Sequence, residues 1–269
     1  MAFYAENGYW ISPVVVPDEL LNAAEHGMRR WYAGERDSSL PDVPGTEGWV
    51  PQDGEVLRKN DYSSLRLREL GELATFPAIG AIAATLSGSD SIRLWHDQLL
   101  YKPVHSPGAP TKVGWHTDRQ YWLQCSSEHM LTAWVGFHDV SEVNGGVGFL
   151  PGSHRWDVRN LDFWSQDTDA LLEEIRRQGY PVEPVWPDLR RGQVSFHHCR
   201  TVHGSGHNRG AEPRRALTLH LQPGDNHWRE HHHPDGTLTR HPNDSLVRTV
   251  DGVPDYSDPD ICPQLWPVS

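Results

Sequence analysis

His116 and Asp118 stand two residues apart in Trp115-His116-Thr117-Asp118, a nitrogen and an oxygen donor at the spacing that puts both on one side of a strand. A third donor is available downstream, where Phe196-His197-His198-Cys199-Arg200-Thr201-Val202-His203 supplies further imidazoles. Two histidines and a carboxylate suit non-haem Fe(II), because they cover one face of an octahedron and leave three positions for other ligands. A lone His-x-Asp is weak evidence, since a histidine is more often a surface or hydrogen-bonded residue, and this chain has 17 of them. The residues alone leave His197, His198 and His203 open as the third ligand.

Arg214 and Arg215 open Arg214-Arg215-Ala216-Leu217-Thr218-Leu219-His220-Leu221. Read as a strand, this segment sets Arg214, Ala216, Thr218 and His220 against Arg215, Leu217, Leu219 and Leu221. A guanidinium on the inward side needs an anionic partner, because an unpaired buried charge is costly. A dicarboxylate cosubstrate provides one, and arginine clamps a carboxylate through two parallel hydrogen bonds. A surface salt bridge is the plainer alternative, and spacing does not choose between Arg214 and Arg215.

The elements that must carry these groups follow a coarse order of helices first and strands later. Gly8 to Val16 reads as extended, and a helix runs from Pro17 towards Tyr32 with Leu20, Leu21, Ala24, Met28 and Trp31 on one face. Leu65–Leu73 and Ala78–Leu86 form a helical pair broken around Phe76-Pro77. Ile92–Tyr101 reads as a core strand, and shorter strands follow near 115–118, 130–137, 147–150, 193–196 and 215–221, with one late helix over 167–178. Asn144-Gly145-Gly146 and Pro151-Gly152-Ser153 are turns between them. The expected fold is mainly β, a double-stranded β-helix (jelly roll, cupin-like) with flanking N-terminal helices in a single domain over 1–269. Residues 34–55, rich in Gly, Pro, Asp and Ser, are expected to form a substrate lid or a mobile insertion. Residues 225–269 read as an irregular extension in which His231-His232-His233 is a surface tract or a wall of the site's mouth.

Composition narrows the partners. Asp plus Glu outnumber Lys plus Arg by 36 to 24, for a formal charge of −12, which disfavours nucleic acid. No apolar run approaches the ~18 residues of a membrane span, and Met1-Ala-Phe-Tyr-Ala-Glu-Asn lacks the features of a secretory leader. Cys125, Cys199 and Cys262 fit reduced thiols better than a disulfide framework. The expectation is a cytoplasmic chain that meets a small molecule, with no nucleic acid, no membrane and no obligate protein partner.

Over Gly8 to Pro223 the sequence resembles the phytanoyl-CoA dioxygenase-type Fe(II)/2-oxoglutarate oxygenases. The matching segments are Tyr101-Lys102-Pro103, Trp115-His116-Thr117-Asp118, Asn144-Gly145-Gly146, Pro151-Gly152-Ser153-His154, His203-Gly204-Ser205-Gly206-His207-Asn208 and Pro213-Arg214-Arg215-Ala216-Leu217. The resemblance implies His116, Asp118 and His203 as iron ligands and selects Arg214 for the distal carboxylate of 2-oxoglutarate, with O2 as the other cosubstrate. It also places Gln98 and Lys102 near the cosubstrate. Trp134 is a pocket residue or core packing; Arg119, Tyr121, Trp122 and His207 are substrate-pocket candidates, and Asn208 is a candidate for steadying the loop that carries His203 or an ordinary turn residue. The retained Asp118 argues against halogenation, and the lack of a basic patch argues against an acyl-CoA substrate. The implied reaction oxidises a C–H bond of a small, specialised metabolite while 2-oxoglutarate yields succinate and carbon dioxide. Hydroxylation is the default, with cyclisation, desaturation or epimerisation from the same centre. A Zn or Mn hydrolase or isomerase and a noncatalytic cupin-like binding protein are the competing readings.

Overall fold

The computed structural model describes residues 1–267 apart from 45 and 47. Its first part is helical: α1 (Ala2–Asn7), the short strand β1 (Tyr9–Ile11), α2 (Asp18–Tyr32), β2 (Arg58–Asp61), α3 (Arg68–Ala74) and α4 (Pro77–Ser87). The strands follow as β3 (Ile92–Lys102), β4 (Val113–His116), β5 (Leu131–Gly136) and β6 (Gly148–Phe149). The helix α5 (Thr168–Arg177) precedes β7 (Val194–His198), β8 (His203–Ser205) and β9 (Arg214–Pro223).

Two antiparallel sheets make the jelly roll. The larger one runs β1-β7-β5-β9-β3 and gains an edge from the C-terminal strand β12 (Gln264–Trp266), with β2 also pairing to β3. The smaller sheet is β4-β8-β6. Alternation along the large sheet sorts its residues into two environments. Leu131, Ala133 and Val135 of β5, Val194 and Phe196 of β7, and Leu217, Leu219 and Leu221 of β9 all join the apolar core, packed with Leu21 and Met28 of α2, Leu70 of α3 and Ile79 of α4. The opposite face turns Thr132, Trp134, His197, Arg214, Thr218 and His220 into a cavity. The apolar mass that stabilises the sheet therefore lies on its helical side, and the space inside the roll is left to polar groups.

The helix pair is broken at Phe76-Pro77 as proline geometry requires, and it modifies one expectation from the sequence. Arg68–Ser87 is long and apolar enough, at a mean hydropathy of 1.3, to pass as a candidate membrane span. Leu70, Leu73, Ala74, Ile79 and Ala83 are nonetheless completely buried in the core just described.

Among the described residues of 34–55 the regular structure is a single 3-10 turn at Pro51–Asp53. Trp49 ties the segment down: its backbone N–H donates to the Lys59 carbonyl, its own carbonyl accepts from Asn60 Nδ2, and its ring lies 4.0 Å from the Arg58 guanidinium. The segment 225–269, expected to be irregular, carries the one-turn helix α6 (Asn243–Leu246), the small hairpin of β10 (Thr249–Val250) and β11 (Val253–Pro254), and β12. Polar anchors fasten it, with Tyr62 donating to Asn243 Oδ1 at 2.5 Å and Asn243 Nδ2 donating to the Trp95 carbonyl at 2.7 Å. Its apolar residues are too sparse for a periodic pattern, yet Leu246, Val247, Tyr256, Ile261 and Cys262 complete a second apolar cluster around Trp95.

Candidate metal centre

The strand β4 ends at His116, and Asp118 opens a 3-10 turn over Asp118–Tyr121. Thr117 between them is extended (φ −117°, ψ 144°), so the two side chains still face the same way although only one sits in the strand. β8 lies antiparallel to β4 with His203 directly opposite His116. One ligand atom from each of His116, Asp118 and His203 lies within 4.8 Å of the others, and all three residues are buried.

The hydrogen bonds fix how these donors point. Nδ1 of His116 donates to the Gly114 carbonyl and Nδ1 of His203 to the Thr201 carbonyl, each at 2.9 Å. That tautomer leaves both Nε2 lone pairs free, 3.9 and 3.6 Å from Asp118 Oδ1. The other carboxylate oxygen, Oδ2, accepts from Thr132 Oγ1 at 2.5 Å and from His197 Nε2 at 3.2 Å. Burial lowers the affinity of His116 and His203 for protons. Burial also opposes charge on Asp118, but the surrounding imidazoles of His203, His220 and His197 hold its carboxyl well below the usual range. Two neutral imidazole lone pairs and one carboxylate oxygen converging in a buried space repel one another unless a cation sits between them, and their chemistry is that of a borderline divalent ion.

From this cluster an inner chamber of about 50 Å³ extends towards Arg214. Arg214 is only 1% exposed, and its Nε and Nη1 have no hydrogen-bond partner among the described residues. Burial draws its pKa down to about 9. The Trp134 ring lies 5.1 Å from the guanidinium, and Thr218 adds an unpartnered buried hydroxyl. Arg215, one residue on, faces the opposite side and pairs with Glu25 at 2.9 Å. A fixed cation without a counter-ion, at the far end of a chamber that begins at three metal-type donors, fits a ligand with a carboxylate at one end and a metal-chelating group at the other.

A wider outer chamber of about 250 Å³ adjoins it, sharing Gln98, His116, Asp118, Phe163 and His220. Phe163 arrives because Gly114 permits it: Gly114 N–H donates to the Phe163 carbonyl at 2.8 Å, and a Cβ on Gly114 would collide with the Asp162 carbonyl. Its ring meets the edge of His116 at 4.8 Å between centroids.

The other sequence candidates divide. Gln98, Trp134, Tyr121 and Trp122 line the chambers. Lys102 lines neither; fully buried, it donates to Ser205 Oγ and the Gly206 carbonyl at 2.6 Å each, steadying the chain that leaves His203. Burial and the nearby Arg214 charge push its pKa far down. Arg119 turns away from the centre to the Trp122 and Cys125 carbonyls and to Glu128. His207 stacks on His105 outside both chambers, and Asn208 braces the same loop through the Lys102 and Glu212 carbonyls without touching His203. The His231–His233 tract borders neither chamber. Sequence reading missed the carboxylate-holding role of Thr132, the Phe163-Trp164 pair, and Lys59, Asp61, His96 and His241 in the outer wall. An aromatic pair inside the mostly polar stretch 157–167 was the one available signal.

The pattern of the phytanoyl-CoA dioxygenase (PhyH) family matches residues 4–216. The chain belongs to this family. It is accordingly an enzyme of the iron- and 2-oxoglutarate-dependent dioxygenase class, built on the family's jelly roll. Human peroxisomal phytanoyl-CoA dioxygenase is 24% identical over 233 residues, covering 84% of this chain and 68% of that protein. The epimerase SnoN, solved with Fe3+, alpha-ketoglutarate and nogalamycin RO, is 26% identical with a TM-score of 0.72, covering 98% of this chain and 96% of its own. The alpha-ketoglutarate-dependent carbocyclase SnoK from nogalamycin biosynthesis is also 26% identical, with a TM-score of 0.66 over 85% of this chain and 84% of that one.

Proposed function

We propose that the chain oxidises a C–H bond of a small, specialised metabolite, with His116, Asp118 and His203 holding Fe(II) and Arg214 holding the distal carboxylate of 2-oxoglutarate. The observation that carries this reading is the inner chamber, with three convergent donors at one end and an unpaired buried guanidinium at the other. Bound iron supplies the activation of dioxygen, coupled to decarboxylation of 2-oxoglutarate. In a hydroxylation one oxygen atom enters the substrate and the other enters succinate, with carbon dioxide released.

The chain's own residues position and protect. Thr132 and His197 hold Oδ2 of Asp118 so that Oδ1 faces the histidines. Trp134 flanks the guanidinium and Phe163 covers His116, which keeps water from the reacting space. The outer chamber brings a substrate bond alongside the metal cluster. Hydroxylation is the primary reading; cyclisation or epimerisation is favoured as the second because a carbocyclase and an epimerase share this architecture.

Anaerobic addition of Fe(II) and 2-oxoglutarate should produce a visible charge-transfer absorption that His116→Ala and Asp118→Ala abolish. Saturating both without any absorption change would overturn the assignment. Aerobic turnover is read as succinate and as product mass. A gain of one oxygen marks hydroxylation, a loss of two hydrogens marks cyclisation or desaturation, and an unchanged mass with altered stereochemistry marks epimerisation.

A further inference from the structure

The outer chamber has a chemistry of its own. Three imidazoles besides His116 face it, two with tautomers set by their hydrogen bonds. Thr132 spends its hydroxyl proton on Asp118, so its oxygen accepts from His220 Nδ1–H at 2.8 Å. His220 therefore turns an Nε2 lone pair, an acceptor, towards the chamber. His241 is the mirror case: its Nδ1 accepts from the Asn243 backbone N–H at 3.2 Å, which leaves Nε2–H as a donor. The third, His96, stacks on His220 at 4.4 Å between centroids and lies 5.0 Å from His241.

Lys59 and Asp61 cancel one another on this wall: Lys59 Nζ donates to both oxygens of Asp61, at 2.9 and 2.6 Å, and the remaining carboxylate, Asp118, is turned to His116 and His203. Flat rings complete the lining: Trp122 lies edge-on to His220 at 4.7 Å between centroids, Phe163 and Tyr121 border the chamber, and Trp164, 67% exposed, meets the Phe163 ring at 4.7 Å. A donor and an acceptor on a charge-balanced wall complement a group that both gives and takes a hydrogen bond. With Fe(II) balanced by Asp118 and the ketoacid carboxylate of 2-oxoglutarate, a further carboxylate would meet the His220 lone pair and no free side-chain cation; an ammonium would meet the His241 N–H.

We propose that the outer chamber takes an uncharged, planar ring compound with hydroxyl or carbonyl groups on its edge, the edge read by His220 and His241 and the ring face held by Trp122, Phe163 and Trp164. This rests on the reading of the inner chamber as the iron and 2-oxoglutarate site, since it makes the outer chamber the substrate's.

The test uses the full chain and two probes of equal shape, a dihydroxynaphthalene and the corresponding naphthalene dicarboxylate, followed by tryptophan quenching. It is run anaerobically with Fe(II) and 2-oxoglutarate present, so that the Arg214 end is filled, and again with neither. The diol should bind at least about tenfold more tightly than the dicarboxylate in the loaded protein, since the diacid would bury unpaired charge. His241→Phe, which keeps a ring against Trp95, should weaken the diol by roughly tenfold, the worth of one neutral hydrogen bond, and leave the 2-oxoglutarate absorption in place. Trp164→Ala removes an exposed ring, leaves the core intact and should weaken the diol as well. A dicarboxylate that binds as tightly as the diol, or diol binding indifferent to both substitutions, overturns the proposal. The two readings fail separately. Absence of the absorption band with the diol's sensitivity to both substitutions retained in the metal-free run would sink the iron assignment alone, and a normal band without discrimination would sink the ring compound alone.

Discussion

The inner and outer chambers meet at His116 and Asp118, yet they treat charge in opposite ways. The inner one buries a guanidinium whose Nε and Nη1 have no partner among the described residues, and the outer one matches Lys59 with Asp61 and fixes two of its imidazoles as one donor and one acceptor. An uncompensated charge selects strongly for a single complementary ion, whereas a balanced wall selects by the direction of hydrogen bonds. The difference suits an invariant cosubstrate on one side and a substrate defined by shape on the other.

The largest effects should come from the boundary between the chambers. Asp118→Ala or His116→Ala is expected to end succinate formation altogether, while diol binding in the outer chamber survives; loss of both together would mean that the chambers are not separable. Next comes Arg214→Leu, which removes two charge-assisted hydrogen bonds and should raise the 2-oxoglutarate concentration needed for half-maximal absorption by about 100-fold. Arg215→Ala, which only breaks the Glu25 pair, should leave it nearly unchanged, and equal effects from the two arginines would erase the distinction between inward and outward faces of β9. Thr132→Val and His197→Phe release Asp118 Oδ2 and should weaken iron binding by roughly 10- to 100-fold, read by metal titration.

The smallest expected effect is on stability against acid. Burial lowers the pKa of His241 from 6.5 to about 3, so an unfolding chain takes up a proton there that the folded one refuses. The stability this neutral ring contributes is whole above pH 6.5 and drains away as the pH falls from there towards about 3. The melting temperature of the metal-free protein should decline more steeply between these limits than that of His241→Phe; parallel profiles would show that the ring is wet.

The inner chamber was largely legible in the sequence and the outer one was not, for a physical reason. Strand alternation alone put Arg214, Thr218 and His220 on one face of β9, and His-x-Asp survived the end of β4 because Thr117 stays extended. Alternation fails where strands end. Lys102 shares a face with Gln98 and Leu100 but lies past the chamber, against Ser205 and Gly206. Proximity in sequence also misled at Arg119: within a 3-10 turn successive side chains fan apart, so Asp118 points to the metal cluster, Arg119 to Glu128, and Tyr121 back to the cavity. Lys59 and Asp61 of β2 and His241 of the C-terminal segment come from distant parts of the chain, and only the pairing of β2 with β3 and the anchoring of Asn243 bring them together.

The anchored C-terminal segment bears on how this enzyme can diversify. His241 and Pro242 reach the outer wall from beyond residues 4–216, the stretch shared with the family, and neither contributes a donor to the metal cluster. On the proposed division of the two chambers, substitutions there should retune which molecule is accepted while the oxidising half stays intact, so natural variation or a grafted tail from a relative would offer a route to new selectivity that bypasses the usual conflict between altering specificity and preserving turnover.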